Sequence, residues 1–277
     1  MGIIKPITRL AMLAAALIPA SGLAPSTLRA ETAPVCADES LPIETLGGAA
    51  EQTAALFAQA KECVRAGKPQ RAVALFSQII RSDPTDATAY LNRGSALART
   101  GEVALAISDF GVAIGLKPDL VEAWYDRGTT FTHMRRFEAA IADFTEAVRL
   151  KPDFALAYCN RGLANVQLGR YDDALADYSV AIDHDDTLAY CFFNRGSLYL
   201  TLGDYQKAIG DLSQALSDSP RNPVALSRRG QAYEAQGRKT RALDDFRAAL
   251  DLEPNLDSAK EGFARITTEQ QRSHRQD

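Results

Sequence analysis

The sequence predicts an all-α protein in which pairs of helices stack in a repeating array, and three periodic features support this prediction. Arg-Gly pairs recur at a step of 34 residues, with glycines at Gly94, Gly128, Gly162, Gly196 and Gly230. Prolines share the step, at Pro84, Pro118, Pro152, Pro220 and Pro254. So do alanines followed four residues later by a large apolar residue, at Ala72, Ala106, Ala140, Ala174, Ala208 and Ala242. A fixed period of this length indicates a solenoid.

Each period contains two helices. The first half has apolar or small residues at helical spacing, as at Trp124, Gly128 and Phe131. A turn that often carries glycine follows, and the second helix runs to the proline position. Polar residues that directly follow that position are expected to cap the next helix. They are Thr85, Asp119, Asp153, Thr187 and Asn255.

The repeated residues resemble the tetratricopeptide repeat (TPR) family. The residues that carry the resemblance are Trp124, Gly128, Phe131, Ala140, Phe144, Ala147 and Pro152. Six units follow, at 53–86, 87–120, 121–154, 155–188, 189–222 and 223–256. Residues 257–269 resemble the helix that caps such arrays. The resemblance implies a right-handed superhelical solenoid of helix-turn-helix units, with a concave groove that binds peptides or protein surfaces.

The arginine before each glycine departs from the family, which usually has an apolar residue there. An aspartate follows each arginine sixteen residues later, in the pairs Arg93–Asp109, Arg127–Asp143, Arg161–Asp177, Arg195–Asp211 and Arg229–Asp245. The first unit has Gln59 and Leu75 instead, so the two charges occur together or not at all. We expect internal ion pairs that join the helices of one unit or of neighbouring units. The alternative is a set of exposed pairs, which would contribute little.

The resemblance also implies that one stripe of each first helix lines the groove. The predicted partner-binding residues are Asn92, Tyr125, Asn160, Leu163, Tyr190, Phe193, Asn194 and Leu200. The asparagines stand where the family often holds a ligand backbone, and the stripe is most apolar in its middle. The alternative is that some of these side chains pack between adjacent first helices.

The N-terminus has the pattern of a secretory signal peptide. Lys5 and Arg9 precede a short apolar run, and no acidic residue occurs before Glu31. We predict a signal peptide over 1–30, cleaved after Ala30 or Ala24, then a leader over 31–52 and a flexible tail over 270–277. The alternative is an anchor left in place. After cleavage no integral membrane span is expected, because the run is too short to cross a bilayer. The predicted location is the periplasm of a Gram-negative-type cell, with secretion as the alternative.

The four cysteines are Cys36, Cys63, Cys159 and Cys191, and they contain no C-x-x-C pair. No metal site or cofactor is therefore expected. In an exported protein the cysteines allow three disulfide connectivities, or four free thiols. One candidate bridge ties Cys36 to Cys63, and another joins Cys159 to Cys191 across neighbouring first helices.

The charge and motif content favours an interaction protein. The chain has 277 residues and a formal net charge of −4, without a basic stripe, so no nucleic-acid partner is expected. No catalytic or phosphate-binding motif occurs, so we predict that it is not an enzyme. The predicted function is a scaffold that binds a peptide or helix of an envelope protein. The alternatives are a self-associating structural protein, with a homodimer allowed, and a non-catalytic regulatory subunit of an envelope hydrolase or secretion complex.

Overall fold

The computed structural model describes residue 36 and residues 48–273, and within them the regular secondary structure is entirely helical. The helices are α1 (Ala49–Arg65), α2 (Pro69–Ser82), α3 (Ala87–Thr100), α4 (Val103–Leu116), α5 (Val121–His133), α6 (Phe137–Leu150), α7 (Ala155–Gln167), α8 (Tyr171–His184), α9 (Ala189–Leu202), α10 (Tyr205–Asp218), α11 (Pro223–Ala235), α12 (Lys239–Leu252) and α13 (Asp257–Ser273). Each helix packs against the helices next to it in sequence. The predicted all-α solenoid of six helix pairs and a final helix is confirmed.

Several predicted boundaries differ from the structure. Helix α1 begins at Ala49, inside the predicted leader 31–52. Helix α13 continues to Ser273, beyond the predicted end at 269 and into the predicted tail 270–277. Buried Ala259 and Ile266 hold α13 against the last unit, and glutamine and arginine extend a helix readily. The predicted signal peptide 1–30, the rest of the leader apart from Cys36, and residues 274–277 lie outside the described residues.

The predicted capping residues of α3, α5, α7 and α9 are wrong, because the N-cap position of each helix falls one residue later. Asp86 caps α3 by accepting from the backbone N–H of Ala89, and Asn222 caps α11 in the same way. The N-cap positions of α5, α7 and α9 are occupied by Leu120, Phe154 and Leu188, whose side chains cannot cap. Two turns instead contain an aspartate that accepts from a threonine two residues later, as Asp83 does from Thr85.

The repeated glycines lie where the two helices of a unit approach most closely. A β-carbon on Gly94 would lie 2.8 Å from the Phe110 ring, and one on Gly128 would lie 2.9 Å from the Phe144 ring. These separations are too short for any larger residue without movement of the neighbouring helix. The loss of helix propensity at glycine, about 1 kcal/mol, is therefore offset by close packing of each helix pair.

The turns inside the units require a left-handed backbone. Five of the six turns have a glycine with positive φ, from 71° at Gly67 to 87° at Gly101. The third unit has Arg135 at this position with φ 60°. Glycine adopts this conformation without steric penalty, so it recurs at the end of the first helices.

The five predicted arginines each contact their predicted aspartate in the same unit. Arg93 Nε lies 2.7 Å from Asp109 Oδ2 and Arg93 Nη2 lies 2.8 Å from Asp109 Oδ1. The other four pairs have the same forked arrangement. The aspartate side chains are only 5–11% exposed and the arginine side chains 17–23%. These pairs are thus partly buried bidentate bridges, and the alternative of exposed pairs is wrong.

Each arginine also contacts residues outside the ion pair. In four units its Nη1 donates to a hydroxyl of the preceding unit, at 3.0–3.2 Å, namely Ser77, Thr145, Ser179 and Ser213. Arg127 faces Gly111 at the corresponding place. The guanidinium groups further lie over aromatic rings of their own helix, as Arg127 does over Trp124 at 5.1 Å. The arginines therefore link the two helices of one unit and most of the neighbouring units as well.

Two disulfides connect the cysteines. Cys36 is bonded to Cys63 of α1, with a Cα–Cα distance of 5.3 Å. Cys159 of α7 is bonded to Cys191 of α9, with a Cα–Cα distance of 5.8 Å. The second bridge joins the first helices of the fourth and fifth units, so it holds two neighbouring units in one relative arrangement.

We predict that Asp177→Ala lowers the free energy of unfolding by about 3 kcal/mol, because it leaves the Arg161 guanidinium without its carboxylate. Asp177 also accepts from Asn165, which loses its partner in the variant. Chemical denaturation followed by circular dichroism measures the change. Asp172→Ala, at an exposed position of the same helix, is the matched control. Equal unfolding midpoints for the Asp177 variant and the wild type would contradict the prediction.

Candidate functional site

The first helices form the inner face of a curved array. Helices α3, α5, α7, α9 and α11 each pack against the next first helix, in addition to their own partners. The second helices of neighbouring units are farther apart. An array in which one set of helices is closer together than the other must curve towards that set. The concave face is therefore lined by the first helices, as the resemblance implies.

The predicted groove residues divide into two groups by burial. Asn92, Tyr190, Phe193 and Leu200 are half-buried. Tyr125, Asn160, Leu163 and Asn194 are buried. Tyr125 and Asn160 are 0% and 1% exposed, so they do not line an open groove as predicted. Adjacent first helices lie so close that these side chains fill the space between them.

Tyr125, Asn160 and Tyr190 form a hydrogen-bonded chain across three consecutive units. Asn160 Nδ2 donates to the Tyr125 hydroxyl at 2.9 Å, and the Tyr190 hydroxyl donates to Asn160 Oδ1 at 3.0 Å. Burial raises the pKa of both tyrosines above the ordinary value, so both remain neutral hydrogen-bonding groups. The chain fixes the relative position of α5, α7 and α9 in the wall of the groove.

A small pocket lies between the fourth and fifth units. Its lining residues come from α7, α8 and α9, namely Leu163, Val166, Tyr171, Tyr178, Asn194, Ser197, Leu198 and Thr201. Most of the lining is aliphatic or aromatic, with two tyrosines from α8, and the amide and aliphatic hydroxyl groups all belong to α9. The cavity of about 20 Å³ has room for about one water molecule, so it accepts an apolar side chain only after its lining side chains move apart.

Asn194 contributes the unusual polar group of this pocket. The residue is 3% exposed, and neither its amide nitrogen nor its amide oxygen has a hydrogen-bond partner among the described residues. The Tyr190 hydroxyl donates to Asn160, and a hydrogen-bonding interaction with the Asn194 side chain opposes the effect of burial on the Tyr190 pKa. A buried amide normally satisfies both its donor and its acceptor. Asn194 makes no hydrogen bond of good geometry, so its donor and acceptor match those of a peptide bond.

Two charged residues that the sequence analysis missed occupy the same repeat position as Asn92, Asn160 and Asn194. They are Asp126 in the third unit and Arg228 in the sixth, at the same step of 34 residues. The signal that could have identified them is the alignment of the position across units. At this position the second, fourth and fifth units have asparagine, the third has an acidic residue and the sixth has a basic one.

Asp126 is buried without a cationic partner. It is 7% exposed, and its Oδ2 accepts from the Ser95 hydroxyl of α3 at 2.8 Å, while its Oδ1 has no partner. Burial raises the pKa of Asp126 to about 6, against the opposing effect of the Ser95 hydrogen bond. The other five buried aspartates of the described chain each have an arginine. The buried Asp126 carboxylate therefore lowers the stability of the folded protein, and the repeat does not require a charge at this position.

Arg228 is a largely buried cation without an anionic partner in the described chain. Its Nε is buried without a hydrogen-bond partner, and its guanidinium lies 5.8 Å from the centre of the Phe193 ring. Burial lowers the pKa of Arg228 relative to the ordinary value. No ion pair involves Arg228 within the described part of the chain. The row of inner positions is thus negative at the third unit and positive at the sixth.

The described residues also bear on two other kinds of site. Across residues 36 and 48–273, no three histidine, cysteine or acidic side chains come together as metal ligands would. Over the same residues, each helix is too short or too polar to span a bilayer.

We predict that Asp126→Asn stabilises the protein at pH 8 by roughly 1–3 kcal/mol, given that one pKa unit corresponds to about 1.4 kcal/mol. The folded-state pKa, about 6, lies above the unfolded value, so the buried charge destabilises the folded state progressively as pH rises from 4 to 6. The difference between variant and wild type should vanish near pH 4. Denaturation curves at pH 4, 6 and 8 measure it. A variant less stable than the wild type at pH 8 would contradict the prediction.

Comparison with solved structures identifies the fold. PilF of Pseudomonas aeruginosa superposes with a TM-score of 0.71 at 16% sequence identity, covering 77% of this chain and 97% of PilF. PilW, a type IV pilus biogenesis factor, superposes with a TM-score of 0.68 at 18% sequence identity, covering 78% of this chain and 99% of PilW. YrrB, a TPR protein with an unusual peptide-binding site, superposes with a TM-score of 0.58 at 20% sequence identity, covering 67% of this chain and 96% of YrrB. At these identities the likeness concerns the fold alone.

A search of curated proteins gives no match. A search of protein-family models does give a match. The tetratricopeptide repeat model matches residues 57–121, 122–189 and 193–257, which make up most of the chain. Proteins with this repeat typically mediate protein–protein interactions, and the fold is generally non-catalytic. The chain belongs to the tetratricopeptide repeat family.

Proposed function

We propose that the protein is a non-catalytic scaffold that binds an extended segment of a partner protein on its concave face, centred on the pocket between the fourth and fifth units. The observation that carries this proposal is the buried Asn194 amide, whose donor and acceptor make no hydrogen bond of good geometry at the edge of a mainly apolar pocket. A main-chain amide of a ligand satisfies both groups, while its neighbouring side chain enters the pocket.

An extended segment fits these features better than a helix. In a helix the backbone N–H and C=O groups already bond to one another, so a helix offers no free peptide group to Asn194. Both Asn194 atoms are buried and the cavity has room for about one water molecule, so the pocket must open when the segment binds. The Cys159–Cys191 bridge joins the first helices on either side of the pocket, so we expect the opening to come from rearranged side chains.

The fold neighbours support a role in recognition. YrrB is described as having an unusual peptide-binding site, and PilW as a pilus biogenesis factor. Our proposal takes from them the general role of an assembly or recognition scaffold. The partner that we propose is an envelope protein.

We further propose that the protein is an exported bacterial TPR protein that works in the periplasm. The basic start and apolar run within residues 1–30 support export, because they have the layout of a signal peptide. The two disulfides also support it, since such bonds persist in oxidising compartments and are rare in the cytosol.

Alkylation of bacteria that express the full chain tests the proposed location. With the reagent present during unfolding, so that the buried cysteines are accessible, we expect no labelled cysteine before reduction and four after it, by mass spectrometry. A chain that begins at residue 31 is the control and should remain in the cytosol, with its thiols labelled during unfolding before any reduction. Labelled thiols in the full-length protein, or its recovery in the cytosolic fraction, would refute export.

Selection from a random library of extended peptides tests the proposed binding site. A peptide selected on the wild type should bind Asn194→Ala roughly 10-fold more weakly, since the variant loses one or two hydrogen bonds to the ligand backbone. The variant removes an unsatisfied amide but leaves a small cavity, so its melting temperature is measured beside its affinity to separate weaker binding from loss of folding. Asn92→Ala is the matched control, because the Asn92 amide donates to Thr88 in its own helix. Equal affinity of the wild type and Asn194→Ala for every selected peptide would rule the pocket out.

A further inference from the structure

The exceptional charge on the concave face is Asp126. Five of the six buried aspartates in the described chain bind an arginine of their own unit. Asp126 lies instead at an inner position of α5, with one carboxylate oxygen bonded to Ser95 and the other without a partner. Glu122 lies one helical turn earlier on the same face of α5 and is exposed.

The fold does not need this charge. Asparagine occupies the same position in the second, fourth and fifth units. Its amide oxygen would accept the Ser95 hydrogen bond as the carboxylate does, without the cost of a buried charge. A buried carboxylate without a cation is destabilising, so a positive group from outside the described chain is the natural partner.

We propose that Asp126 and Glu122 form a subsite on the concave face that binds a lysine or arginine side chain of the partner segment. This inference rests on the proposed function and specifies the chemistry of its ligand. Glu122 meets the cationic group at the surface of the groove. Asp126 lies beneath it in a site of low dielectric constant, where water screens its charge weakly. A metal ion is not the ligand proposed, because the described residues bring no third acidic or histidine ligand to these two.

Arg228, at the other end of the inner positions of the first helices, determines the orientation in which the segment lies along the groove. Arg228 lies at the corresponding position three units later and has no anionic partner in the described chain. Its positive charge repels a cationic side chain at that end of the groove. A segment whose apolar residue occupies the pocket between α7 and α9 therefore has its basic residue on the side of α5. The two charges thus select one orientation of the segment.

The test is a selection of random extended peptides on the wild type, on Asp126→Asn and on Glu138→Gln. Glu138 is exposed on α6, a second helix, so its variant makes the same change in net charge away from the groove. We expect wild-type peptides to share an apolar anchor and a lysine or arginine at a fixed distance on one side of it. With Asp126→Asn the apolar anchor should persist and the basic residue should lose its enrichment. Glu138→Gln should select the same peptides as the wild type.

A double-mutant cycle provides the second readout. For one selected peptide, replacing its lysine with norleucine should weaken binding to the wild type by about 10-fold and to Asp126→Asn by less than about 2-fold. Equal losses for both proteins would overturn the subsite. Apolar anchors without any basic preference on the wild type would also overturn it while leaving the proposed function intact. A library that yields no groove-dependent peptide would overturn both proposals.

Discussion

The close packing of the two helices within each unit is the constraint on which the rest of the structure depends. It requires a residue without a side chain where the first helix meets the second, and the repeated glycines meet that need against an aromatic ring in four units and against Leu212 in the fifth. In the last unit the Phe246 ring lies between two such residues, because Gly230 contacts it from α11 and Gly262 from α13. The final helix thus ends the array with the same kind of contact that builds each unit.

That close approach also makes the arginine before each glycine possible. With the helices so near, the arginine side chain reaches the aspartate of the second helix in a forked arrangement and, in four units, a hydroxyl of the preceding unit. A buried carboxylate is tolerated there because two N–H groups neutralise it. The charges of the array are therefore structural wherever they follow the repeat.

Three residues of the first helices are buried without the partners that the repeat gives its other polar groups. Asp126 and Arg228 break a column of asparagines, and both are buried without an ionic partner in the described chain. Asn194 keeps the repeated residue type but makes no hydrogen bond of good geometry beside a mainly apolar pocket. All three lie on first helices, on the concave side. Stability alone would favour removing each of these defects, and their common face supports the binding role that we propose.

The sequence by itself determined the number of units, their helix pairs, the glycine contacts and the identity of the arginine and aspartate partners. The reason is that a strict period places each of these residues in the same local environment, so contacts within one unit can be read from spacing. The tertiary structure alone decided which first-helix residues are open to the groove. It placed Tyr125 and Asn160 inside the wall, left Asn194 beside a pocket, and gave Asp126 a serine rather than an arginine. Burial at these positions depends on the side chains of neighbouring first helices, and these vary from unit to unit while the period stays the same.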